Sequence, residues 1–316
     1  MVEKKMLGAS LYVPATHKDL QKIALGELLG EVRSLIFCTE DAVADNELHV
    51  ALLNLAHALQ ELSKRPGKEI FVRVRNPDVL RTILKMHGSE KLSGFVLPKI
   101  SRQNFDFYFR QVRETNHLLM PTLETVDVFD EIEMKQLRQY MEQPDVRRRI
   151  LALRIGGNDL LALLGIRRPR TMTIYHTPLG HVISRLATTF LPFGFALTAP
   201  VFEHLDNLAL LAQEIHEDLA HGLMGKTAIH PSQVNLIEQH YRVQESDVEM
   251  AMRLVNPACP TIFKMQNSMC EVATHRAWAY GVIEQARHFG THHACTSRAD
   301  DALTSIASLV DNSLEV

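Results

Sequence analysis

Residues 150–165 read ILALRIGGNDLLALLG: a short apolar run, a turn of glycine and polar residues, and a second apolar stretch. A short run rich in Ile and Leu is typical of a strand buried on both of its faces. The second stretch has the character of a helix that follows the strand. This unit recurs along the chain, and its recurrence determines the predicted fold.

Eight apolar runs occur in order along the sequence. They are ASLYVP from Ala9, SLIFC from Ser34, IFVRV from Ile70, GFVLP from Gly94, HLLMPTLE from His117, ILALRIG from Ile150, FGFALTAP from Phe193 and LMGKTAIH from Leu223. Helix-like stretches lie between them, and residues 48–62 and 205–221 show the apolar spacing of helices. Eight alternations predict an α/β fold, a (β/α)8 TIM barrel. The alternative is a doubly wound sheet, but no GxGxxG follows the first run.

The strand–helix pattern ends after the eighth run. We predict a catalytic barrel over residues 1–235, a C-terminal helical extension or lid over residues 236–290, and a mobile tail over residues 291–316. Within the extension, Ser246 is predicted to cap a helix that ends at residue 255. A further helix containing Trp278 should follow. The tail is small and polar with an acidic end, which is typical of a mobile terminus.

Composition limits the classes of partner. The chain has 316 residues and a formal net charge of −3, without the clustered positive field that a nucleic-acid partner demands. No apolar run approaches the ~20 residues that cross a bilayer, and no apolar core precedes a cleavage site near the start. We therefore expect no nucleic-acid partner, no membrane span and a cytoplasmic location. The four cysteines form no CxxC pair, so neither a zinc nor a redox motif is indicated.

Charged and polar residues follow the apolar runs. A (β/α)8 barrel places its active site at the C-terminal ends of the strands, and buried charge there is costly unless it is paired. The candidates, in chain order, are Glu40, Asp41, Arg73, Arg75, Lys99, Glu124, Gly157, Asn158, Asp159 and His230.

Glu124 and Asp159 follow the fifth and sixth runs, which would be neighbours in a barrel. Two converging carboxylates repel each other unless a cation lies between them. Oxygen ligands alone suit Mg²⁺ or Mn²⁺, with water and substrate completing the shell. The alternative is that each residue caps the helix that follows it, and for Asp159 that alternative is strong.

Arg73 and Arg75 stand two residues apart, which on a strand places both side chains on one face. A guanidinium at the barrel mouth can hold a carboxylate or stabilise a developing enolate oxygen. Alternatively, each arginine pairs with a nearby acid at a solvated strand end. Glu40 and Asp41 can orient such an arginine or bind metal-bound water, although Asp41 taken alone equally fits a helix cap.

Seven short motifs occur in a familiar order: LYVP, EDAV, VRV, GFVLPK, LET, GGNDLLALLG and IHPSQV. Together they resemble the citrate lyase β-subunit and malyl-CoA lyase group of the HpcH/HpaI aldolase superfamily. Residues 164–180 and 197–207 resemble more closely a branch of TIM-barrel carbon–carbon bond lyases associated with tellurium resistance gene clusters.

The resemblance implies a Mg²⁺-dependent (or Mn²⁺-dependent) lyase or aldolase that cleaves or forms a carbon–carbon bond through a metal-stabilised enolate. Glu124 and Asp159 would hold the metal, and Arg73 would bind a substrate carboxylate. The substrate would be a small oxo or hydroxy acid, or a conjugate of one. Relatives form trimers or hexamers in which the C-terminal segment covers a neighbour's site, so a homo-oligomer is expected.

We assign catalytic roles to Arg73, Glu40 and Asp41. Substrate binding is assigned to Arg73 and to Arg75, Lys99, Gly157 and Asn158.

Several positions depart from the relatives. Gly8 and Ala9 stand where an arginine and a serine usually precede the first strand, and that arginine helps to hold CoA. Cys38 and Thr198 replace aspartates, and Glu271 is offset from the acid that relatives place in the C-terminal segment. The departures favour retained metal–enolate chemistry on a different substrate. The alternatives are a citryl-CoA or malyl-CoA type thioester lyase, and a catalytically weak barrel that serves as a binding or assembly component.

Overall fold

The structure, a computed structural model, describes residues 6–62 and 68–292. Eight parallel strands form one sheet, and each coincides with one of the eight predicted apolar runs, although β3 begins one residue before its run, at Glu69. The strands are β1 (Ala9–Pro14), β2 (Ser34–Cys38), β3 (Glu69–Arg73), β4 (Gly94–Leu97), β5 (Leu118–Leu123), β6 (Leu153–Ile155), β7 (Leu197–Thr198) and β8 (Lys226–Ala228).

The strands follow the order β7-β6-β5-β4-β3-β2-β1-β8, so neighbours in sequence are neighbours in space. A parallel bridge between Ala199 and Lys226 joins the end of β7 to β8. The sheet therefore curls round on itself with its helices outside. The predicted TIM-barrel fold is confirmed, and the doubly wound alternative is wrong.

Twelve α-helices accompany the strands in the described part of the chain. They are α1 (Leu20–Leu25), α2 (Leu48–Glu61), α3 (Pro77–Leu84), α4 (Phe105–Val112), α5 (Glu131–Met141), α6 (Pro144–Arg147), α7 (Gly157–Leu163), α8 (Pro178–Phe190), α9 (Leu208–Ala220), α10 (Pro231–His240), α11 (Glu245–Val255) and α12 (Val272–Phe289). Over residues 6–62 and 68–292, none of the helices is both long enough and apolar enough to cross a membrane.

Local sequence explains how the chain turns at the strand ends. After β3, Asn76 adopts an extended backbone, and its side chain accepts hydrogen bonds from the N–H groups of Asp78 and Val79. Pro77 occupies the first helical position, where a missing N–H costs nothing. The helix therefore begins at once, and Arg73 is left at the mouth of the barrel.

Side chains that alternate along the strands fill the barrel. Ile36, Phe71, Val96 and Met120 from β2 to β5 are fully buried together, with Leu7 beneath them. Large apolar side chains inside the ring are the usual filling of this fold. The opposite side of the barrel is filled differently and is described below.

The described residues form two compact units, one reaching to Ile237 and the other beginning at Glu238. In the second unit, α11 and α12 pack around a small apolar core that includes Ala251, Leu254 and Ile283. That residues 1–235 act as the catalytic domain and residues 236–290 as a lid stays a prediction. Residues 293–316, most of the predicted mobile tail, lie outside the described residues, whereas Thr291 bridges to Val243.

One local prediction in the second unit is wrong, and one element was not predicted. The helix begins at Glu245 rather than after Ser246, and the capping position belongs to Gln244, which makes no side-chain capping bond. The sequence analysis also missed an antiparallel hairpin of β9 (Ile262–Met265) and β10 (Ser268–Glu271). Its turn uses Gln266 and Asn267 at φ 49° and 63°, a conformation usually marked by glycine or asparagine–glycine pairs.

Candidate active site

Charged side chains from β2 to β6 gather at the C-terminal ends of the strands. Glu40 and Asp41 follow β2, Arg73 ends β3, Lys99 follows β4 and Glu124 follows β5. Asp159 lies in the first turn of α7, directly after β6. The parallel register carries each strand to the same rim, which is why residues far apart in sequence meet.

Arg73 lies at the centre of this group. Its Nη2 is 2.7 Å from Glu40 Oε2, 3.0 Å from Asp41 Oδ2 and 3.1 Å from Glu124 Oε1. Burial opposes the charged form, but the facing Tyr12, Glu124 and Glu40 overcome it and raise the pKa of Arg73. The guanidinium is therefore permanently charged. Its Nε is buried without a hydrogen-bond partner among the residues that the structure describes.

Lys99 adopts a backbone conformation that few non-glycine residues take, at φ 51°. This turn directs its backbone N–H to Glu124 Oε1 at 2.9 Å, while its Nζ lies 3.0 Å from Glu40 Oε1. Asn104 stabilises the turn by donating to the Lys99 carbonyl at 2.7 Å. Strain of this kind at a strand end is characteristic of functional sites.

Glu124 is 3% exposed. Burial raises the pKa of its carboxyl to about 7; Arg73 opposes the shift, and the charge of Asp159 adds to it. Glu40 is shifted in the same sense, since burial raises its pKa more than Arg73 lowers it. Asp41 is exposed, and although burial acts the other way, Glu40, Arg73 and Lys99 together lower its pKa.

Gly156 makes room for the Glu124 carboxylate. A Cβ at this position would lie 2.3 Å from Glu124 Oε2 and 2.4 Å from Glu124 Cβ, far inside the contact distance of real atoms. From the sequence alone, this glycine was predicted only as part of a turn. A glycine at the end of a buried strand was the available signal, because close approach of a neighbouring group is one reason for glycine there.

Glu124 and Asp159 keep carboxylate oxygens available for a ligand. Both hydrogen bonds that Glu124 accepts from described residues fall on Oε1, which leaves Oε2. Asp159 is half-buried and close enough for its charge to raise the pKa of both Glu124 and Lys99. The alternative that Asp159 caps its helix is wrong, because Gly156 occupies the N-cap and no side chain bonds there.

The rim carries four carboxylates and two cationic side chains. Glu40, Asp41, Glu124 and Asp159 face Arg73 and Lys99, which leaves an excess of two negative charges when all are ionised. Among the described residues, no group of three or more His, Cys, Asp or Glu side chains is arranged to hold a metal by itself. Two carboxylates with open coordination fit Mg²⁺, which usually keeps several waters and binds one or two carboxylates.

Other predicted site residues lie apart from this cluster. Arg75 lies beyond the end of β3, so strand alternation does not place it beside Arg73. Its Nε donates to Thr39 O at 3.2 Å and its Nη2 donates to Glu40 O at 3.2 Å, and it also contacts Val43 and Asp45. Arg75 therefore fastens the loop that carries Glu40.

Asn158 and Gly157 occupy the start of α7. The Asn158 amide donates to Glu203 Oε2 at 3.2 Å on the exposed surface, and Gly157 is buried where a Cβ would meet Pro200 at 2.7 Å. His230 is exposed and bonds to Ser232. Substrate binding by Gly157 and Asn158 stays a prediction.

Tyr12 and Arg154 lie inside the barrel, and neither was predicted from the sequence as a site residue. The half-buried Tyr12 ring lies 6.0 Å from the Arg73 guanidinium and 5.6 Å from that of Arg154. The sequence did carry a signal for Arg154, because this charged residue interrupts an otherwise apolar strand.

The parallel barrel, with charged side chains gathered around Arg73 at the C-terminal ends of its strands, places the protein in the TIM-barrel class. Residues 1–291 match the family model described as a C–C bond lyase of the TIM-barrel fold, and the chain belongs to this family. Its members are carbon–carbon lyases, and the predicted citrate lyase-like superfamily is confirmed.

Individual relatives are distant. The human mitochondrial citramalyl-CoA lyase is 24% identical over 263 residues, covering 78% of this chain and 74% of the human protein. A citrate lyase from Burkholderia xenovorans LB400 superposes with a TM-score of 0.70 at 16% identity, over 91% of this chain and 93% of that one. The Mycobacterium tuberculosis protein CitE, solved with magnesium, acetoacetate and coenzyme A, gives a TM-score of 0.66 at 20% identity, over 90% and 100% of the two chains.

Proposed function

We propose that the protein is a divalent-cation-dependent lyase or aldolase that breaks or forms a carbon–carbon bond in a small oxo or hydroxy acid, or in a conjugate of one. The observation that supports this most strongly is the unbalanced charge of the rim, where four carboxylates face two cationic side chains. A site with an excess of negative charge and open carboxylate oxygens favours a bound cation.

Glu124 through Oε2 and Asp159 would hold Mg²⁺ or Mn²⁺, and the magnesium in the M. tuberculosis relative supports this choice. The bound cation would act as a Lewis acid that stabilises negative charge on a substrate oxygen. Gly156 keeps the space that the Glu124 carboxylate needs.

Arg73 would bind the substrate carboxylate and stabilise the enolate oxygen that develops as the bond breaks. Its buried Nε has hydrogen-bonding capacity that the described residues leave unused. Fixed donors in a water-poor site stabilise developing charge more than donors in water do. Glu40 and Asp41 fix Arg73 by ion pairs, and Lys99 contributes a further positive charge at the exposed edge.

A thioester lyase of the citryl-CoA or malyl-CoA type is the second candidate. It is favoured by the activity in the name of the human relative and by the coenzyme A in the M. tuberculosis complex. The absence of arginine and serine at Gly8 and Ala9 opposes it. Titration of the protein with CoA and acetyl-CoA separates the two: micromolar affinity would favour the thioester lyase.

Metal-dependent melting tests the proposal. Mg²⁺ and Mn²⁺ should raise the melting temperature of the native protein, because a ligand that binds only the folded state stabilises it. The Glu124→Gln, Asp159→Asn double variant should lose the shift. The matched control, Glu131→Gln with Asp145→Asn, removes two exposed acids from other helices and should keep it. An undiminished shift in the first variant would refute the proposed metal site.

Enolate formation can be tested with pyruvate as a probe, without knowledge of the natural substrate. Enolate formation exchanges the methyl protons of pyruvate in D₂O, so NMR should show exchange that requires the metal and falls in Arg73→Lys. Metal binding without exchange or turnover of any 2-oxo or hydroxy acid would favour the third alternative, a barrel that serves for binding or assembly.

The predicted trimer or hexamer, the cytoplasmic location and the association with tellurium resistance stay predictions.

A further inference from the structure

A polar cavity opens at the N-terminal end of β5, which is the end of the barrel opposite the rim. Its volume is about 420 Å³. The loop after α4 and the loop after α6 form its walls. The polar residues that line this arginine cavity are Arg113, Glu114, Thr115, Asn116, Arg148 and Arg149. Three arginines and one glutamate give it an excess of two positive charges.

Arg149 is the buried member of this lining, at 9% exposed. Its Nη2 donates to Val112 O and to Thr115 Oγ1, each at 2.9 Å. Its Nε is buried without a hydrogen-bond partner, and its Nη1 makes no hydrogen bond to a described residue. Three of the five N–H donors of a guanidinium are therefore unused.

No carboxylate in the described part of the chain forms an ion pair with Arg149. Burial and the neighbouring charge of Arg148 both lower the pKa of its guanidinium, and no acid opposes them. A buried charge without a counter-ion is unfavourable. An anion in the cavity would supply both the missing charge and the missing hydrogen-bond acceptors.

Three consecutive arginines, residues 147–149, have different surroundings. Arg147 Nη2 donates to Gly194 O at 2.5 Å, and its guanidinium lies 4.3 Å from the centre of the Phe195 ring. Arg148 pairs with Asp145 at 3.1 Å, but both side chains are exposed, and such pairs are weak. Packing therefore accounts for Arg147, whereas Arg148 and Arg149 keep charge available at the cavity.

The opposite wall carries one further positive charge and one negative charge, both exposed. The Arg113 guanidinium lies 5.7 Å from the centre of the Phe109 ring. Neither Arg113 nor Glu114 forms an ion pair with a residue that the structure describes. Glu114 is the single acid in the lining, so it opposes the binding of an anion.

We propose that Arg113, Arg148 and Arg149 bind a phosphate group, either free or carried by a small molecule. An excess of two positive charges matches a phosphate dianion better than a single carboxylate, and the planar guanidinium fits phosphate oxygens. The volume of the cavity is within the range of small-molecule sites. From Leu118 to Glu124 the chain runs about 20 Å along β5, so a ligand here does not touch the rim.

Calorimetric titration of the metal-free full chain with inorganic phosphate tests the site. At constant ionic strength the native protein should bind phosphate and should bind acetate at least about 10-fold more weakly. Arg149→Met should weaken phosphate binding by about 10-fold or more, since it removes hydrogen bonds to a charged group. Glu114→Gln should strengthen binding, because it removes the one opposing charge. No binding of phosphate by the native protein would overturn the proposal.

Arg110→Gln is the matched control. Arg110 is an exposed arginine of α4 that pairs with Asp106 outside the cavity, so its variant should bind phosphate as the native protein does. Arg113→Gln, three residues further along, should bind phosphate more weakly. Equal losses in these two variants would show a diffuse electrostatic effect instead of a site and would overturn the proposal.

A double variant, Arg113→Gln with Arg148→Gln, separates binding from structural support. Both side chains are exposed, and the variant keeps the hydrogen bonds that Arg149 donates to Val112 and Thr115. Its melting temperature without phosphate should equal that of the native protein, and its phosphate binding should be lost. Native affinity for phosphate in this variant would contradict the proposal.

Two further titrations locate the ligand and its source. Glycerol 3-phosphate that binds more tightly than phosphate would indicate an ester, and equal affinity would indicate the free ion; both results support a phosphate site. Glu124→Gln should bind phosphate with native affinity, whatever the fate of the proposed metal site. Loss of phosphate binding in Glu124→Gln would place the anion at the rim and overturn the inference.

Discussion

Two clusters of charged residues in the barrel unit differ in one respect, which is charge balance. On the outer side of β8, Lys226 Nζ lies 3.0 Å from Glu214 Oε1 and 2.7 Å from Asp218 Oδ2, and Arg168 Nη1 lies 2.6 Å from Glu214 Oε2. Two acids meet two cationic groups, and Tyr175 donates to the remaining oxygen of Asp218 at 2.6 Å. Every charge in this cluster, the outer network, has a partner.

The rim cluster has four acids for two cationic groups and leaves carboxylate oxygens unused. Charge balance therefore distinguishes charged groups that stabilise the fold from charged groups that serve a ligand. A buried, closed and neutral network holds parts of the fold together, here the segment containing Arg168 and Tyr175 against α9. An open cluster with excess charge of one sign is incomplete without a ligand.

The largest expected effect is on the outer network. Lys226→Met leaves Glu214 and Asp218 facing each other in a site that is 0% exposed, so the free energy of unfolding should fall by about 3–5 kcal/mol. Urea denaturation followed by circular dichroism measures this. Metal binding by the folded variant should be unchanged. A loss of less than 1 kcal/mol would contradict the structural reading of this network.

The corresponding change at the rim should act on function. Glu124→Gln should lower metal-dependent activity by about 100- to 1000-fold, comparable with the loss of one essential electrostatic contact elsewhere. Its free energy of unfolding should stay the same or rise, because a buried carboxylate is removed. Steady-state kinetics measure the loss of activity, and urea denaturation of the same preparation measures the free energy of unfolding. A stability loss as large as that of Lys226→Met would remove the distinction between the clusters.

Gly156→Ala tests the fit between β6 and Glu124. The added Cβ would displace the carboxylate, as the 2.3 Å contact requires, and such overpacking costs about 1–3 kcal/mol. Metal affinity should fall with it. The control is Gly281→Ala, a helical position with open space around the new Cβ, which should not be destabilised. Unchanged metal affinity in Gly156→Ala would show that the close approach does not matter.

The stability and the metal affinity of the rim cluster should also depend on pH. The folded-state pKa of Glu124 is about 7, above its ordinary 4.5. Its contribution to the stability of the metal-free protein is therefore complete below about pH 4.5 and is lost as the pH rises through 7. Metal binding competes with this proton, so Mn²⁺ affinity should be about 10-fold weaker at pH 6 than at pH 8. Calorimetry in matched buffers measures this, and equal affinities would contradict the assignment of Glu124.

The sequence predicted the barrel because eight apolar runs impose eight buried strands, whatever their exact ends. It also predicted Glu40, Asp41, Arg73 and Glu124 at one rim, since the ends of parallel strands meet there, and it placed Lys99 at that rim without deciding whether its side chain points into the site. These positions follow from local pattern and topology alone.

Other features depend on tertiary contacts that no local pattern encodes. The direction of Arg75 could not be predicted because β3 ends before it, and the left-handed turn at Lys99 carries no glycine signal. The closeness of Gly156 to Glu124 arises only when β5 and β6 pair. The position of Arg154 beside Tyr12 likewise appears only when side chains from distant strands are placed around one interior.

The central claim is that one divalent cation neutralises the excess charge of the rim through Glu124 and Asp159. A crystal grown with Mn²⁺ and pyruvate tests it directly through the anomalous signal of manganese. We expect one manganese peak per chain, about 2.1 Å from Glu124 Oε2 and a similar distance from an Asp159 oxygen. A rim without a peak, or a peak touching neither carboxylate, would contradict it.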